Sequence, residues 1–268
     1  MTTARTLRLR PGGPLAELRP DELDATTVEL AIDGHPQSHV DPADPTALRH
    51  DYVRRIGNLV DATASPRTPL TVLHLGAGAL TLARYVQATR PGSPQHVVEL
   101  ESALVPFVLD ALPLPPGTEL QVHPGDAAEV VRRLGTELAG RVDLAVADLY
   151  RGTTTPAAVR SAAFYETLAG LLAPGGLLAV NVADDDGLPA LGTQLAVLST
   201  LFSGLWVTGP LATVTHARAG NAVVIASRDR LPTSLLDALR AAGPHPGAVV
   251  DAHDLAPGLD STLPGRTL

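Results

Sequence analysis

The sequence contains no cysteine. Without thiols the chain cannot form disulfides, use a thiolate nucleophile, or hold zinc or iron–sulfur clusters through cysteine. It also contains no lysine, so all 20 of its basic residues are arginine. A Schiff-base lysine and the lysine of a nucleotide-binding P-loop are therefore excluded. These absences remove several classes of enzyme before any motif is considered.

Long apolar runs and basic runs are missing as well. No stretch approaches the roughly 18 uninterrupted apolar residues of a membrane span, and the N-terminus lacks the apolar segment of a secretory signal. The net charge of −8 does not favour nucleic acid as a partner. We therefore expect a soluble cytoplasmic protein with no membrane or nucleic-acid partner. Its 268 residues fit one large domain with a small appendage.

Residues 70–99 carry the strongest pattern in the chain. An apolar run predicts a strand, Gly76 and Gly78 predict a tight turn, and the helical spacing that follows ends at Pro91. A second apolar run ends at Glu99. Glycine lets the backbone approach a ligand closely, and a carboxylate at the tip of the next strand can accept both ribose hydroxyl protons. The order is typical of a nucleoside-cofactor site at the edge of a parallel sheet.

The rest of the chain alternates apolar runs with helical patterns. This predicts a parallel sheet with helices on both faces, which binds ligands at the carboxyl ends of its strands. The polar residues at those ends should converge on one crevice: Gly76, Gly78, Glu99, Asp126, Asp148 and Asn181. The last two strands have little helix signal between them. The predicted fold class is α/β, with the Rossmann-like seven-stranded sheet of the S-adenosylmethionine-dependent methyltransferases.

We predict three segments in the chain. They are residues 1–62, an N-terminal arm with a β-hairpin and a linking helix; 63–230, the nucleoside-binding α/β domain; and 231–268, a C-terminal helix and an otherwise irregular tail. Residues 1–26 are rich in proline and glycine and predict a mobile arm or a short edge strand. The hairpin places strands at 28–32 and 37–40 around Asp33 and Gly34.

These features together resemble the spermidine synthase (polyamine aminopropyltransferase) family. The resemblance covers roughly residues 27–227 and rests on the order and spacing of short motifs. They are Ile32-Asp33-Gly34 with Gln37, Tyr52, LGAG at 75–78, VELE at 98–101, GDA at 125–127, ADLY at 147–150, and Phe164-Tyr165 followed by LAPGG at 172–176. The resemblance implies a small N-terminal β-hairpin domain beside a methyltransferase-like domain. It also implies a homodimer, and S-adenosylmethionine or its decarboxylated form as the cofactor.

The resemblance implies a role for each matching residue. Glu99 would hold the ribose, Asp126 with Ala127 would hold the adenine, and Asp148 would deprotonate the attacking group. The implied catalytic residues are Asp148, Tyr150 and Gln37, and the cofactor-binding residues are Gly76, Gly78, Glu99, Leu100, Asp126, Ala127 and Asp148. The predicted substrate-binding residues are Gln37 and Tyr52, which match the family, and Arg151, which departs from it.

Three positions depart from the family's pattern. Acids that grip cationic amines in the family are replaced by Ala79, Arg151 and Arg54. An arginine would repel a diammonium substrate, and it can pair with a carboxylate of intact S-adenosylmethionine or of an acceptor. The sequence therefore predicts methyl or other alkyl transfer from S-adenosylmethionine to a small acceptor.

Two alternatives stay open. The run Asp184-Asp185-Asp186 could grip an amine, which would restore aminopropyl transfer from decarboxylated S-adenosylmethionine. Otherwise these acids form a solvated loop whose last member caps the next helix. The loss of the amine-site acids also fits a non-catalytic homologue that only binds a nucleoside.

No metal site is expected from the sequence. His35, His39 and His50 lie close together, yet neither an HxH nor an HExxH spacing is present. Histidines on predicted strands are more often core residues than ligands. A serine hydrolase is disfavoured too, because the strand–helix turns lack Gly-x-Ser-x-Gly.

Overall fold

Two β-sheets organise the chain. The computed structural model describes residues 4–22, 24, 26–149 and 156–255. The N-terminal sheet is antiparallel and follows chain order, with strands β1 Arg5–Arg8, β2 Leu15–Pro20, β3 Val28–Ile32 and β4 His35–Val40. The second sheet holds the other eight strands of the described residues.

The N-terminal sheet is larger than predicted. The expected hairpin is confirmed as β3 and β4, joined at Asp33 and Gly34, which have φ angles of 49° and 78°. The preceding residues, predicted as an arm with at most a short edge strand, instead form β1 and β2. Ala16 and Leu18 of β2 are fully buried and alternate with partly exposed neighbours. That alternation is too short, between flanking prolines and glycines, to stand out in the sequence.

The large sheet is mixed. Its strands are β5 Val72–Leu75, β6 Gln95–Glu99, β7 Leu120–Pro124, β8 Val142–Ala147, β9 Leu172–Asp184, β10 Gly204–Pro210, β11 Gly220–Ser227 and β12 Gly247–Asp251, in the spatial order β12-β10-β11-β9-β8-β5-β6-β7. Strands β7, β6, β5, β8 and β9 are neighbours and run parallel. Strand β11 pairs antiparallel with β9, and β10 pairs antiparallel with both β11 and β12. The fold class is confirmed. The sheet has eight strands rather than seven, because the tail predicted as irregular supplies β12 beside β10.

Helices cover both faces of the large sheet. They are α1 Asp51–Thr63, α2 Thr81–Thr89, α3 Leu104–Ala111, α4 Ala127–Leu138, α5 Ala162–Leu171, α6 Pro189–Leu198, α7 Leu211–His216 and α8 Thr233–Ala242, with short 3₁₀ turns at Ala157–Arg160 and Ala252–Asp254. Helices α4, α5 and α6 pack on one face, and α1, α2 and α8 on the other. An apolar core lies on each face of the sheet, and alternate residues of β5 pack into each of them. Leu73 and Leu75 pack against α4, α5 and α6, and Val72 packs on the opposite face.

Two helix predictions need correction. The helix expected from about Thr46 begins at Asp51, because the Asp44 side chain accepts hydrogen bonds from the Thr46 amide at 2.9 Å and hydroxyl at 2.6 Å, which forms a turn. Between β10 and β11, where a plain turn was predicted, the chain forms the short helix α7. Among the helices that the structure describes, none is both long and apolar enough to cross a membrane.

The N-terminal sheet packs on α3. Leu18 and Leu30 of the sheet share an apolar cluster with Phe107 and Val108 of α3 and with Ala79 of the glycine loop. Burial of this apolar surface is the main term that holds the two sheets together. The packing places β4 directly beside the glycine loop after β5.

Candidate active site

The loop after β5 is held against the loop after β8. The Asp148 amide donates a hydrogen bond to the Leu75 carbonyl at 2.9 Å. Gly76 has a φ of 96°, which favours glycine, and a Cβ added there would lie 2.3 Å from the Asp148 carbonyl oxygen. Glycine at this position therefore meets two needs, a left-handed backbone and a close contact between two main chains.

Strand β4 reaches the same loop from the N-terminal sheet. The Ser38 hydroxyl accepts a hydrogen bond from the Ala79 amide at 3.1 Å, and a Cβ added at Gly78 would lie 2.3 Å from that hydroxyl oxygen. The Thr81 hydroxyl, in the first turn of α2, donates to the His39 carbonyl at 3.0 Å. The N-terminal sheet thus fixes the conformation of the glycine loop through polar contacts as well as apolar packing.

Glu99 ends β6 and turns its carboxylate back toward the glycine loop. Its Oε2 accepts a hydrogen bond from the Ala77 amide at 3.0 Å, and its Oε1 accepts one from the Glu101 amide at 2.9 Å. Burial raises the pKa of Glu99, and these main-chain donors oppose the rise. Each carboxylate oxygen can accept a further hydrogen bond, so the group can still hold a ribose hydroxyl.

The residues predicted around the adenine follow β6 and β7. The Gly125 amide donates to the Glu99 carbonyl at 2.8 Å, which joins the two strand ends. Asp126 is the N-cap of α4, where its side chain accepts a hydrogen bond from the first turn at 2.9 Å. Ala127 is buried, whereas Leu100 is 37% exposed. An exposed large apolar side chain at this edge is suited to covering a flat apolar ring.

Asp148 lies at the centre of a hydrogen-bond network. Its Oδ2 accepts a hydrogen bond from the Tyr52 hydroxyl at 3.1 Å, and its Oδ1 accepts one from the Asn181 amide at 2.8 Å. The Asn221 amide donates to Asn181 Oδ1 at 3.0 Å, which fixes the orientation of the Asn181 side chain. Burial raises the pKa of Asp148, and the bonds from Asn181 and Tyr52 limit the rise.

Three separate elements hold these donors. Tyr52 projects from the first turn of α1, Asn181 lies on β9, and Asn221 lies on the neighbouring antiparallel strand β11. The carboxylate is therefore positioned by rigid structure on either side. A buried carboxylate with a raised pKa at the end of a parallel strand can take a proton from a reacting group or orient it.

Several other predicted residues lie elsewhere or are engaged otherwise. The Gln37 side-chain amide donates to the His35 carbonyl at 3.3 Å, within its own strand. Ala79 is fully buried in the apolar cluster beneath the N-terminal sheet. Arg54 is exposed on α1, whereas Tyr52 reaches Asp148. Tyr150 and Arg151 lie outside the described residues.

The acidic run after β9 is engaged within the protein. Asp184 Oδ2 accepts a hydrogen bond from the Leu191 amide in the first turn of α6 at 2.7 Å. Asp186 pairs with Arg218 at 3.1 Å and accepts a hydrogen bond from the Ala219 amide at 2.7 Å. The sequence predicted that the last acid of the run caps α6. Instead, the first acid, Asp184, accepts the hydrogen bond from the first turn of that helix.

Ser38 and Asn221 were missed by the sequence analysis. Each acts on a residue far away in the chain, Ser38 on the glycine loop and Asn221 on Asn181. The residue types give no signal by themselves, because single serines and asparagines occur on many strands. A pairing of β9 with β11 in the observed register would have been needed to find Asn221.

Known proteins were compared with the chain by sequence and by structure. No family model matches the sequence, and no curated protein sequence does. A solved structure of a probable spermidine synthase from Corynebacterium glutamicum matches with a TM-score of 0.78 and 26% identity, over 89% of this chain and 88% of that one. Human methyltransferase-like protein 13, solved with SAH, matches with a TM-score of 0.59 and 21% identity, over 72% of this chain and 91% of that one.

A spermidine synthase solved with the transition-state analogue AdoDATO also matches. Its TM-score is 0.62, with 14% identity over 83% of this chain and 73% of that one. The matches at 14% and 21% identity show only that the fold is shared. The similarity to the Corynebacterium protein confirms the resemblance that the motifs predicted, and all three matches agree on the α/β fold that the class I methyltransferases share.

Proposed function

We propose that the protein is a transferase that uses an S-adenosylmethionine-type sulfonium donor. In its simplest form the reaction is methyl transfer from S-adenosylmethionine to a small acceptor. The observation that carries the proposal is the Asp148 carboxylate, held by Tyr52 and Asn181 at the strand end that also contacts the glycine loop. The solved relatives, whose ligands are SAH and AdoDATO, support a donor of this class.

The donor would lie along the carboxyl ends of β5, β6 and β7. Glu99 would accept hydrogen bonds from the ribose hydroxyls, and Leu100 would cover the adenine. Asp126 would accept a hydrogen bond from the adenine amino group. The loop between Gly76 and Gly78 would lie beside the methionine part. This assignment uses the contacts of the described residues: the Glu99 carboxylate and the glycine loop are already joined by a hydrogen bond at 3.0 Å.

The transfer step needs little covalent help from the protein. The nucleophilic atom of the acceptor attacks the methyl carbon, and the carbon–sulfur bond breaks with its electron pair going to sulfur. The products are the methylated acceptor and the thioether S-adenosylhomocysteine. The proton that the acceptor loses goes to the Asp148 carboxylate, whose raised pKa suits a base that works near neutral pH. Positioning provides most of the remaining acceleration.

Two features of the described residues support methyl transfer over aminopropyl transfer in this proposal. A diammonium acceptor would need acids beyond Asp148, and the candidate run from Asp184 to Asp186 has its first and last carboxylates occupied by α6 and by Arg218. The position that carries the family's donor-gripping acid is Ala79, which is fully buried in an apolar cluster. Methyl or other alkyl transfer from intact S-adenosylmethionine is therefore the leading form of the proposal.

Calorimetric titration with three ligands tests it: S-adenosylmethionine, decarboxylated S-adenosylmethionine and methylthioadenosine. We expect the intact sulfonium to bind most tightly. Replacing Glu99 by Gln should weaken all three about tenfold or more, because it removes the charge and replaces one of the two acceptor oxygens for the shared ribose by a donor. Tighter binding of the decarboxylated form would favour aminopropyl transfer instead. If none of the three binds, the donor site itself is refuted and a homologue without transferase activity remains.

A further inference from the structure

Three potential metal ligands meet on the N-terminal sheet, away from the candidate active site. Glu29 of β3 and His39 of β4 are directly opposite each other in the sheet register, and Asp21 follows β2. His39 Nε2 lies 3.1 Å from Asp21 Oδ2 and 3.4 Å from Glu29 Oε2. One ligand atom from each of the three residues lies within 4.8 Å of the others. We propose that these three side chains bind a divalent transition-metal ion, with zinc the best match.

The spacing of the ligand atoms fits a tetrahedral ion. Zinc binds histidine nitrogen and carboxylate oxygen at about 2.0–2.2 Å, which places neighbouring ligands of a tetrahedron about 3.3 Å apart. The distances from His39 Nε2 to the two carboxylates, 3.1 Å and 3.4 Å, lie on either side of that value. Two carboxylates balance the charge of the ion, and water can take the fourth position. One imidazole among the ligands favours a transition metal over magnesium or calcium.

Outer partners orient each ligand. Arg19 donates to Glu29 Oε1 from Nε at 2.9 Å and from Nη2 at 2.6 Å, while the other oxygen, Oε2, faces His39. Asp21 Oδ1 accepts a hydrogen bond from the Asp24 amide at 2.9 Å, while Oδ2 faces His39. This division of the two oxygens of a carboxylate between a donor and an ion is what an outer shell of a metal site provides.

The imidazole of His39 is oriented in the same way. Its Nδ1 lies 3.0 Å from His50 Nε2, within hydrogen-bond distance. When Nδ1 carries the proton and donates it to His50, the lone pair of Nε2 points at the two carboxylates. A metal-bound histidine commonly donates its other ring N–H to such a partner.

Burial and charge also favour a cation here. The side chains of Asp21, Glu29 and His39 are only 10–12% exposed. The two nearby guanidiniums are shared among three acids: Arg19 pairs with Glu29 at 2.6 Å, and Arg49 pairs with Asp24 and lies 3.9 Å from Asp21 Oδ1. One negative charge of this group is therefore left for a further cation. The competing explanation is an ion-pair network in which a proton on His39 takes the place of the metal. The two explanations differ in whether the site retains zinc.

A bound ion would brace the support of the glycine loop. The His39 carbonyl accepts a hydrogen bond from the Thr81 hydroxyl of α2. The hydroxyl of its neighbour Ser38 accepts one from the Ala79 amide. His50 stacks on Tyr52, with ring centroids 5.8 Å apart. The proposed ion therefore has a structural role, and its binding can be measured without any knowledge of the transferred group.

The test uses the purified protein, which is stripped with a chelator and dialysed; one portion is then reloaded with zinc and dialysed again before its zinc content is determined. Zinc content is measured by mass spectrometry, zinc affinity by calorimetry, and Tm with and without zinc, with magnesium as the second probe. We expect about one zinc per chain. We also expect a rise in Tm of about 5 °C at a hundredfold excess over Kd, and no rise with magnesium.

Matched variants separate this site from adventitious binding. Glu29→Gln keeps an oxygen for Arg19 and removes a charged ligand, and His39→Gln removes the imidazole; each should weaken zinc binding about tenfold or more. His50→Phe keeps a ring against Tyr52 and should also weaken it. His35→Asn alters an exposed histidine on the same strand and should change nothing. Wild-type protein that binds zinc no better than His39→Gln, or equal loss in His35→Asn, would overturn the proposal and leave the ion-pair network.

Discussion

Asp148 combines two features that rarely occur together at a residue without a function. Its carboxylate is disfavoured as an anion by burial, yet among residues 4–22, 24, 26–149 and 156–255 it is held by two neutral donors, Tyr52 and Asn181, and by no guanidinium. A purely structural carboxylate at this depth is normally paired with a cation, because two neutral hydrogen bonds offset only part of its desolvation. This imbalance is the expected signature of a group that must exchange a proton.

Replacing Asp148 by Asn should lower turnover at least tenfold while leaving donor affinity unchanged. The amide keeps the shape and can still accept from Asn181, but it cannot take a proton from the acceptor. Turnover is measured as S-adenosylhomocysteine release with a panel of small nucleophiles, and donor affinity by calorimetry. Asp237→Asn, on the exposed face of α8, is the control and should be neutral. Turnover of Asp148→Asn at the wild-type level would remove the assigned role.

The same substitution should raise Tm near neutral pH. The pKa of Asp148 is higher in the folded chain than in the unfolded chain because burial disfavours the anion. Stability therefore rises as pH falls through that raised pKa, and the cost of the buried charge is full only above it. The gain from Asn should be largest well above that raised pKa and should shrink as pH falls through it, as thermal scans from pH 8 downward can show. A loss of stability at pH 8 would mean that the carboxylate is retained for structure.

Residue positions at strand ends were predictable, whereas partners across the fold were not. Glu99 and Asp148 follow apolar runs, so their place at the edge of the sheet could be derived from the sequence alone. Ser38 and Asn221 contact loops and strands that are distant in the chain, and nothing in their local pattern marks them. The cluster around His39 was hidden for the same reason, since its carboxylates come from other strands.

At the scale of elements, the glycine loop is sensitive to substitution in two different ways. At Gly76 an added Cβ meets the main-chain oxygen of Asp148, and at Gly78 it meets the hydroxyl oxygen of Ser38, each at 2.3 Å. A main-chain oxygen can move only with its strand, whereas the hydroxyl can be removed by substitution. The φ angle of 96° at Gly76 is also less favourable for alanine than the 49° at Gly78.

Gly76→Ala should therefore destabilise the fold by about 2 kcal/mol or more and abolish donor binding. Gly78→Ala should be less costly, and adding Ser38→Ala should recover part of its loss, although the hydroxyl that accepts from Ala79 is then missing. Adding Ser38→Ala to Gly76→Ala should recover nothing. Urea unfolding and donor calorimetry on this double-mutant cycle provide the measurement. Equal rescue at both glycines would show that the contact with Asp148 is not the limiting one.

The elements that the sequence could predict are those with a strong apolar pattern of their own. β5 and β8 are apolar runs buried on both faces, and α4 repeats apolar residues at helical spacing, so all three were predicted. β1 and β12 lie at sheet edges with few buried side chains, and their pairing depends on strands far away in the chain. Edge strands of this kind have little pattern of their own.

At the scale of the whole molecule, one arginine joins the N-terminal part of the chain to the large sheet. Arg90, after the last turn of α2, is 1% exposed. Its guanidinium donates to the carbonyls of Val60, Asp61, Ala64, Ser65 and Thr68, each at 2.9 Å. These oxygens belong to the C-terminal end of α1 and the linker that follows, where helix carbonyls lack partners within the helix. The cation also lies at the negative end of the α1 dipole.

Arg90→Met should destabilise the protein by about 3 kcal/mol or more, because it leaves several buried carbonyls without donors. Arg90→Lys should be intermediate, since one ammonium has three donors and cannot reproduce the planar fork of five. Urea unfolding measures both, with Arg132→Met on the exposed face of α4 as a control that should stay within about 0.5 kcal/mol of wild type. α1 also carries Tyr52, which donates to Asp148, so turnover should fall in Arg90→Met even where the protein is still folded. An unfolding midpoint unchanged from wild type would show that water satisfies these carbonyls and that α1 is held by its apolar face alone.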